Sequence, residues 1–322
     1  LEVAGAVSSL VVSMGVGAVA AAFYFRRMLS DAERTALPKA DTGAMIRFAL
    51  PQGGASMLGV QALGLGIIVL GLYGTEREVG AFAIALALQG PGSLFLGGIV
   101  NIWAPVVSDL YDRKAIDRLG ALYKTITRWV ATFSFPVFAA LILEPDLFTS
   151  FLAKPEDVAV VAPVAAILAA GNFFYTGTGP TGYVISMSGH PVINLINSIV
   201  AVVLYAVFGI WAAQEHGVIG VAVVDSVVTA AVNSARVVEA WFLVGVQPFG
   251  RSILKPVAAT AAGAAVLLAW RLVPGDSIPI EIAGVAVAGL VYVAALRMFG
   301  LDPEERYVLD TIVKKLPWKK EK

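Results

Sequence analysis

Residues 253–270 read ILKPVAATAAGAAVLLAW, and residues 278–298 read IPIEIAGVAVAGLVYVAALRM. Runs of this kind reach the roughly 18 to 20 apolar residues with which a helix crosses about 30 Å of hydrocarbon. The rest of the chain has the same character, with 58% hydrophobic residues, 14% charged residues and a mean hydropathy of +0.81. A soluble domain carries about 25% charged residues. The sequence therefore predicts an integral membrane protein.

Apolar runs separated by polar segments predict nine transmembrane spans along the 322 residues. Their predicted bounds are 2–25, 44–73, 79–107, 126–150, 158–186, 191–213, 218–244, 252–273 and 278–298. Strands are excluded, because an open sheet in lipid leaves backbone groups unpaired and the alternating pattern of a membrane barrel is absent. We expect an all-α integral membrane fold, a polytopic bundle of about nine transmembrane helices.

Lysine and arginine are concentrated in alternate loops. Nineteen of the 23 fall within 26–47, 113–128, 251–255 and 297–322, whereas the loops between hold only Arg77, Lys154 and Arg271. The positive-inside rule then makes the basic loops and the C-terminus cytoplasmic and places the first residue outside. We predict a multi-pass protein of the cytoplasmic (inner) membrane. Since an outside start without methionine is unusual, we expect the chain to be the C-terminal part of a longer protein.

The sequence offers little for enzymatic or redox chemistry. It contains no cysteine, and its two histidines, His190 and His216, are far apart. A glycine-rich phosphate loop, a catalytic carboxylate pair and a Ser-His-Asp set are all missing. The predicted external loops are short, so any activity is expected inside the bundle. We predict a protein that is not an enzyme and has no cofactor, no metal site and no nucleic-acid partner.

A polar stripe in the seventh predicted span is the clearest candidate for a substrate path. Its members recur every three or four residues, at Asp225, Thr229, Asn233, Arg236 and Glu239, so they share one face of a helix. Polar residues at membrane depth are costly and mark functional sites. One interpretation is the wall of a hydrophilic cavity, in which Arg236 holds a phosphate and Asp225 binds a proton or cation. The other is that Arg236 and Glu239 pair at i, i+3 and that Asp225 bonds a neighbouring helix.

Further polar and helix-breaking residues lie in the preceding spans. Candidates for the substrate path are Asn194, Asn197 and Gln52, and candidates for hinges are Pro51, Pro91, Gly179 and Pro180. The asparagines are about one turn apart, which also fits hydrogen-bonding contacts between helices. Gly and Pro permit bending that a moving transporter can use, but small residues also allow close helix packing. Both interpretations stay open for each group.

Several segments together resemble a known family. They are WAPVVSDLY at 103–111, the run 119–128 leading into a helix with Pro136, GPTGYVISMSGH at 179–190, NLIN at 194–197 and HGVIGVA at 216–222. In this order they resemble the C-terminal half of polysaccharide (O-antigen, Wzx-type) flippases. These flippases belong to the multidrug, oligosaccharidyl-lipid and polysaccharide exporter superfamily, which also contains the lipid II flippase.

The resemblance implies a fourteen-helix protein of two six-helix lobes around a central cavity, followed by two extra helices. Under it, residues 1–43 would be the last helix of a truncated N-terminal lobe plus a cytoplasmic linker, and 44–245 the C-terminal six-helix lobe. Residues 246–300 would be the two additional helices, and 301–322 a basic cytoplasmic tail that anchors on membrane lipids. The implied activity is the flipping of polyprenyl-diphosphate-linked oligosaccharide for polysaccharide biosynthesis by alternating access.

Three alternatives stay open. A multidrug or small-molecule exporter of the same superfamily, coupled to H⁺ or Na⁺, would use a carboxylate such as Asp225. A membrane polysaccharide polymerase or ligase would be expected to carry a long external loop with arginine and histidine, which this sequence lacks. A fragment that does not transport would fit the missing first lobe.

Overall fold

The fold of the described residues is entirely helical. The computed structural model describes residues 2–28, 41–59, 63–273 and 277–300, and no strand occurs among them. The predicted all-α membrane fold is thereby confirmed. The predicted basic tail at 301–322 and most of the predicted linker before residue 41 lie outside the described residues. The chain divides into two compact units, Leu1–Arg47 and Phe48–Lys322.

Twelve α-helices and one short 3-10 helix are found in these ranges. They are α1 Glu2–Met28, α2 Thr42–Met57, α3 Leu65–Tyr73, α4 Glu76–Leu88, α5 Gly90–Asp112, α6 Ile116–Leu143, α7 Pro145–Ser150, α8 Val158–Gly177, α9 Thr181–Met187, α10 Pro191–Val244, the 3-10 helix Arg251–Ile253, α11 Leu254–Trp270 and α12 Ile278–Phe299. Within this part of the chain, six segments are long and apolar enough to cross a membrane: α5, α6, α8, α10, α11 with the turn before it, and α12.

The 54-residue helix α10 is a hairpin of two antiparallel arms, 191–216 and 218–244. It reverses at Gly217, whose φ of 57° and ψ of −145° are not helical. Residues with a Cβ rarely adopt these angles, whereas glycine adopts them readily, so glycine suits the turn. Asn197 on the first arm donates a hydrogen bond to Glu239 on the second, 42 residues later, at 2.5 Å. The two predicted spans 191–213 and 218–244 therefore correspond to the two arms.

Four predicted spans are each divided in the structure. The span predicted at 44–73 contains α2 and α3, and the span at 79–107 contains parts of α4 and α5, which are interrupted at Gln89. The span predicted at 126–150 contains α7 and most of α6, which begins ten residues before the predicted start. The span at 158–186 contains α8 and α9. Hydropathy reports only how apolar a segment is, so it cannot distinguish one straight helix from two short ones.

The two largest of three apolar clusters in the larger unit surround the polar residues. The larger cluster joins α3, α4, α6, α8 and both arms of α10, with Leu70, Phe82, Phe138 and Tyr205 at its centre. The other joins α5, α6, α9 and the end of α10 around Trp103 and Tyr123. Together the two clusters fix the positions of α8, α9 and the second arm of α10, which carry most of the candidate polar residues.

The carboxylate of Glu78 joins the start of α4 to the turn of the α10 hairpin. Its Oε2 accepts hydrogen bonds from the Thr75 amide at 2.8 Å and the Thr75 hydroxyl at 3.0 Å, and its Oε1 accepts one from the Val218 amide at 3.0 Å. Glu78 and Thr75 also form a capping box at the helix start. The hydrogen bond from the Thr75 amide has the largest effect and lowers the pKa of Glu78. Burial opposes it, and the Thr75 hydroxyl and the Val218 amide each lower the pKa by less.

We expect Glu78→Gln to reduce stability at neutral pH but not in acid. The lowered pKa means that the folded state favours the charged carboxylate, so its contribution is full above the unfolded pKa of about 4.3. That contribution is lost as pH falls through the lower folded pKa. Thermal unfolding of both proteins at several pH values between 7 and 3 should show a difference in Tm that disappears at the acid end. A constant difference would contradict the ionic role.

Candidate functional site

The polar stripe on the second arm of α10 faces the protein interior. Asp225 and Asn233 are each 5% exposed, and Thr229, Arg236 and Glu239 are partly buried. On the other face of the arm, Val227 is 60% exposed. The helix therefore presents apolar side chains outward and its polar face inward, as the spacing predicts.

Two neighbouring cavities meet at this stripe and share three lining residues, Tyr175, Asn233 and Arg236. The first cavity, about 180 Å³, lies between the two arms of α10 and also touches Ser198 and Thr229. The second, about 150 Å³, lies between α2, α9 and α10. Its further polar or backbone lining includes Gln52, Ser56, the segment 179–183 and Asn194. Five of the eight predicted path residues thus border one cavity or both: Gln52, Asn194, Thr229, Asn233 and Arg236.

Arg236 and Glu239 do not form the i, i+3 ion pair that one interpretation of the stripe expected. Arg236 Nη1 instead lies 3.4 Å from the Asn233 side-chain oxygen, and Glu239 Oε2 accepts the hydrogen bond from Asn197. Arg236 Nε is buried and has no hydrogen-bond partner. Asn233 Nδ2 donates to the Thr229 carbonyl at 2.8 Å, which orients its oxygen toward the arginine. Because Glu239 is engaged elsewhere, the guanidinium is left available to the cavities.

Asn194 and Gln52 approach the second cavity from the other side. Asn194 Nδ2 donates to Ser186 Oγ of α9 at 3.2 Å, so it links two helices. Its Oδ1 and the Oε1 of Gln52 are both buried without a hydrogen-bond partner. Such atoms are uncommon in folded proteins, because an unpaired buried polar group costs about 1 to 3 kcal/mol. The cavity therefore contains hydrogen-bonding capacity that the protein does not use itself.

The interruption between α8 and α9 forms another part of this cavity wall. Gly179 has a φ of +67°, and the break spans Thr178, Gly179 and Pro180. Tyr123 of α6 holds it in place, since its hydroxyl lies 2.5 Å from Thr181 Oγ1 and 3.3 Å from the Thr178 carbonyl. The span predicted as continuous is thus a discontinuous helix at this point, and the hinge candidates Gly179 and Pro180 border the cavity.

Asp225 lies deeper along the stripe and borders neither of the two cavities. It makes no hydrogen bond or ion pair with any of the described residues. The Tyr205 hydroxyl on the first arm is also buried without a hydrogen-bond partner. Asp225 therefore forms a second polar position, separate from the one around Arg236.

The remaining predicted residues lie away from the cavities. Asn197 and Glu239 bond to each other between the arms of α10, Pro51 is inside α2, and Pro91 is in the first turn of α5. Their roles in the substrate path or as hinges stay predictions. Among the described residues there is also no group of three or more His, Asp or Glu side chains that could hold a metal ion.

Two residues of this region were missed by sequence reasoning. Tyr175 borders both cavities, but a single tyrosine in an apolar span gives no distinctive signal. Arg128, which the charge pattern assigned to a cytoplasmic loop, is 3% exposed inside α6. Leu119, Tyr123, Thr127 and Val130 are buried on the same helix at spacings of three or four, and this period could have indicated that α6 begins earlier.

These features define a class of protein: a multi-pass helical membrane bundle with interrupted helices around internal polar cavities. No protein-family model matches the sequence, and no curated protein matches it. Among solved structures, the lipid II flippase MurJ in an inward closed conformation superposes with a TM-score of 0.64 at 15% identity. The match covers 80% of this chain and 54% of that of MurJ. The matched part of the chain thus has a MurJ-like fold, and the chain spans about half of the MurJ length.

Two further structures superpose with lower scores. One is an outward-facing multidrug resistance transporter of the MATE family in the MOP superfamily, with a TM-score of 0.44 at 18% identity. The other is a MOP superfamily transporter from Pyrococcus furiosus, described as having a binding pocket of reverse polarity, with a TM-score of 0.44 at 16% identity. Each match covers 78% of this chain and 64% of the other. Scores at this level do not define a shared fold.

Proposed function

We propose that this chain is part of a membrane transporter that flips polyprenyl-diphosphate-linked oligosaccharide across the cytoplasmic membrane by alternating access. The observation that carries the proposal is Arg236, a partly buried arginine with an unpaired Nε at the wall between two polar cavities. An arginine with an unpaired nitrogen inside a membrane bundle is costly, and this makes it a candidate for binding an anion. The MurJ-like fold supports the same proposal.

The chemistry of Arg236 suits a diphosphate headgroup. A guanidinium stays charged and presents several N–H donors in a plane, which matches phosphate oxygens. Asn233 holds one of these nitrogens on the helix surface, so the group is oriented before the substrate arrives. The polyprenyl chain would stay among the lipids while the polar head entered the cavity. The C-terminus and the basic loops would lie on the cytoplasmic side.

A cation-coupled exporter of small molecules is the second candidate. The observation that favours it is Asp225, a carboxylate 5% exposed that has no hydrogen bond or ion pair among the described residues. A carboxylate buried at membrane depth can take up H⁺ or Na⁺ and so couple transport to an ion gradient. This position is compatible with a flippase as well, so Asp225 does not by itself decide the substrate.

The two candidates separate in one reconstitution experiment. The protein expressed from its complete gene is placed in vesicles that contain a fluorescent polyprenyl-diphosphate oligosaccharide, and a membrane-impermeant quencher reports its transfer between leaflets. Uptake of a lipophilic cationic dye is followed in parallel vesicles. We expect lipid transfer above protein-free vesicles. Dye transport under an ion gradient without lipid transfer would replace the flippase with the exporter.

A further inference from the structure

We infer that the cavity between α2, α9 and α10 is a saccharide subsite, which binds the first sugar of the carried lipid rather than its diphosphate. The inference rests on the proposed function and assigns one end of the substrate to one set of residues. The saccharide subsite is defined by Gln52, Asn194, Tyr175 and the segment 179–183, with Asn233 and Arg236 at its edge.

The unpaired polar atoms of the subsite are of two opposite kinds. Gln52 Oε1 and Asn194 Oδ1 are hydrogen-bond acceptors, whereas Arg236 Nε is a donor, and all three are buried without a partner. A phosphate has only acceptor oxygens at neutral pH, so it would satisfy the arginine but face two carbonyl oxygens unfavourably. A sugar hydroxyl both donates and accepts. Neighbouring hydroxyls on one ring can therefore satisfy all three atoms together.

A sugar hydroxyl matches Asn194 whichever way the amide of this residue is turned. Its nitrogen donates to Ser186 Oγ, and a turned amide would accept from the same hydroxyl instead. In either orientation one amide atom remains without a partner. Because a hydroxyl can pair with a free carbonyl or with a free NH₂, the match to a polyol holds for both. A ligand with acceptors alone matches only one of them.

The walls of the subsite are also suited to a sugar ring. The broken helix brings the backbone of Gly179, Pro180 and Gly182 to the cavity, so no long side chain fills this part of it. Tyr175 and Tyr183 line it with rings that have an apolar face and a polar hydroxyl. A few converging polar groups on a partly apolar wall are typical of small-ligand sites. Arg236, which also borders the first cavity, can contact the phosphate attached to that sugar.

The subsite is tested by measuring what the sugar adds to binding. The probes are a short-chain polyprenyl diphosphate bearing one hexose and the same lipid without the hexose, each titrated into the purified protein from the complete gene. We expect the hexose to tighten binding at least tenfold. In Asn194→Leu, and independently in Gln52→Leu, this gain should fall by about fivefold, the effect of one hydrogen bond. The Kd for the sugar-free lipid should change less than twofold.

Matched controls keep the test decisive. Gln214→Leu removes an exposed amide near the end of the first arm of α10 and should leave the sugar gain unchanged. Gln52→Leu replaces an unpaired buried oxygen with an apolar group and should keep the Tm of the parent, whereas Asn194→Leu also loses the hydrogen bond to Ser186 Oγ and should lower the Tm. If the gain survives in both variants, or if binding of the sugar-free lipid falls equally, the subsite assignment is overturned. If the parent protein binds neither lipid, the proposed function itself fails, and with it the subsite.

Discussion

Arg236→Gln is expected to slow lipid flipping by roughly 10- to 150-fold without destabilising the protein. Hydrogen bonds to a charged group contribute about 1.5 to 3 kcal/mol, and each 1.4 kcal/mol corresponds to a factor of ten in rate. The variant also removes a partly buried cation whose Nε has no partner. We therefore expect a Tm equal to or above that of the parent. Loss of flipping with unchanged stability would show that Arg236 acts on the substrate and does not stabilise the fold.

The matched control for this variant is Arg113→Gln. Arg113 undergoes the same chemical change, but it is exposed and pairs with Asp109 one turn away on the surface. Such pairs contribute little, so flipping should stay within twofold of the parent. The measurement is the initial rate of lipid transfer in vesicles at equal protein density. If Arg236→Gln flips at the parental rate, the arginine has no role in transport.

Gly179→Ala is expected to destabilise the protein by about 2 to 5 kcal/mol. A non-glycine residue at positive φ costs about 1 to 2 kcal/mol. In addition, a Cβ at this position would lie 2.3 Å from Thr127 Oγ1 and 3.1 Å from Thr127 Cβ. Overpacking of this kind costs about 1 to 3 kcal/mol more. The effect follows because the break between α8 and α9 presses directly against α6.

Gly189→Ala separates the two contributions to this loss. Gly189 also has a positive φ, of 86°, but a Cβ there would meet nothing within 4 Å. Gly189→Ala should therefore show the backbone cost alone. Adding Thr127→Ala should restore part of the stability lost in Gly179→Ala, but it should restore none of the stability lost in Gly189→Ala. Thermal unfolding of the four variants in detergent measures this. Equal losses at the two glycines would show that the contact with Thr127 does not constrain the break.

Local features of the sequence predicted much of this fold. Apolar runs located the membrane helices, and the polar interval around residues 214–217 separated the two arms of α10. The spacing of Asp225, Thr229, Asn233 and Arg236 predicted one buried face, because a helix has a fixed period of 3.6 residues. The glycines and prolines at 176–182 indicated at most a bend within the single predicted span 158–186, whereas the structure has two separate helices there.

The rest depends on contacts between distant residues, which no local pattern contains. Asn197 on the first arm donates a hydrogen bond to the carboxylate of Glu239 on the second arm, and the expected ion pair between Arg236 and Glu239 does not form. The division between α2 and α3 occurs inside an apolar run, where hydropathy is uninformative, and the interruption at Gln89 adjoins Pro91, which the sequence offered only as a hinge candidate. The burial of Arg128 was missed because counting basic residues treats every arginine near a helix end as exposed.

The central claim, that the polar cavities by Arg236 lie on the substrate path, is tested most directly by thiol labelling of Asn233→Cys. This chain has no cysteine, so the introduced thiol is its only one. Asn233 borders both cavities, whereas Val227 on the opposite face of the same arm is 60% exposed to the surroundings of the bundle. We predict that a membrane-impermeant thiol reagent labels Asn233→Cys but not Val227→Cys, and that polyprenyl-diphosphate oligosaccharide protects Asn233→Cys. Labelling of Asn233→Cys at the same rate with and without this lipid would contradict the account.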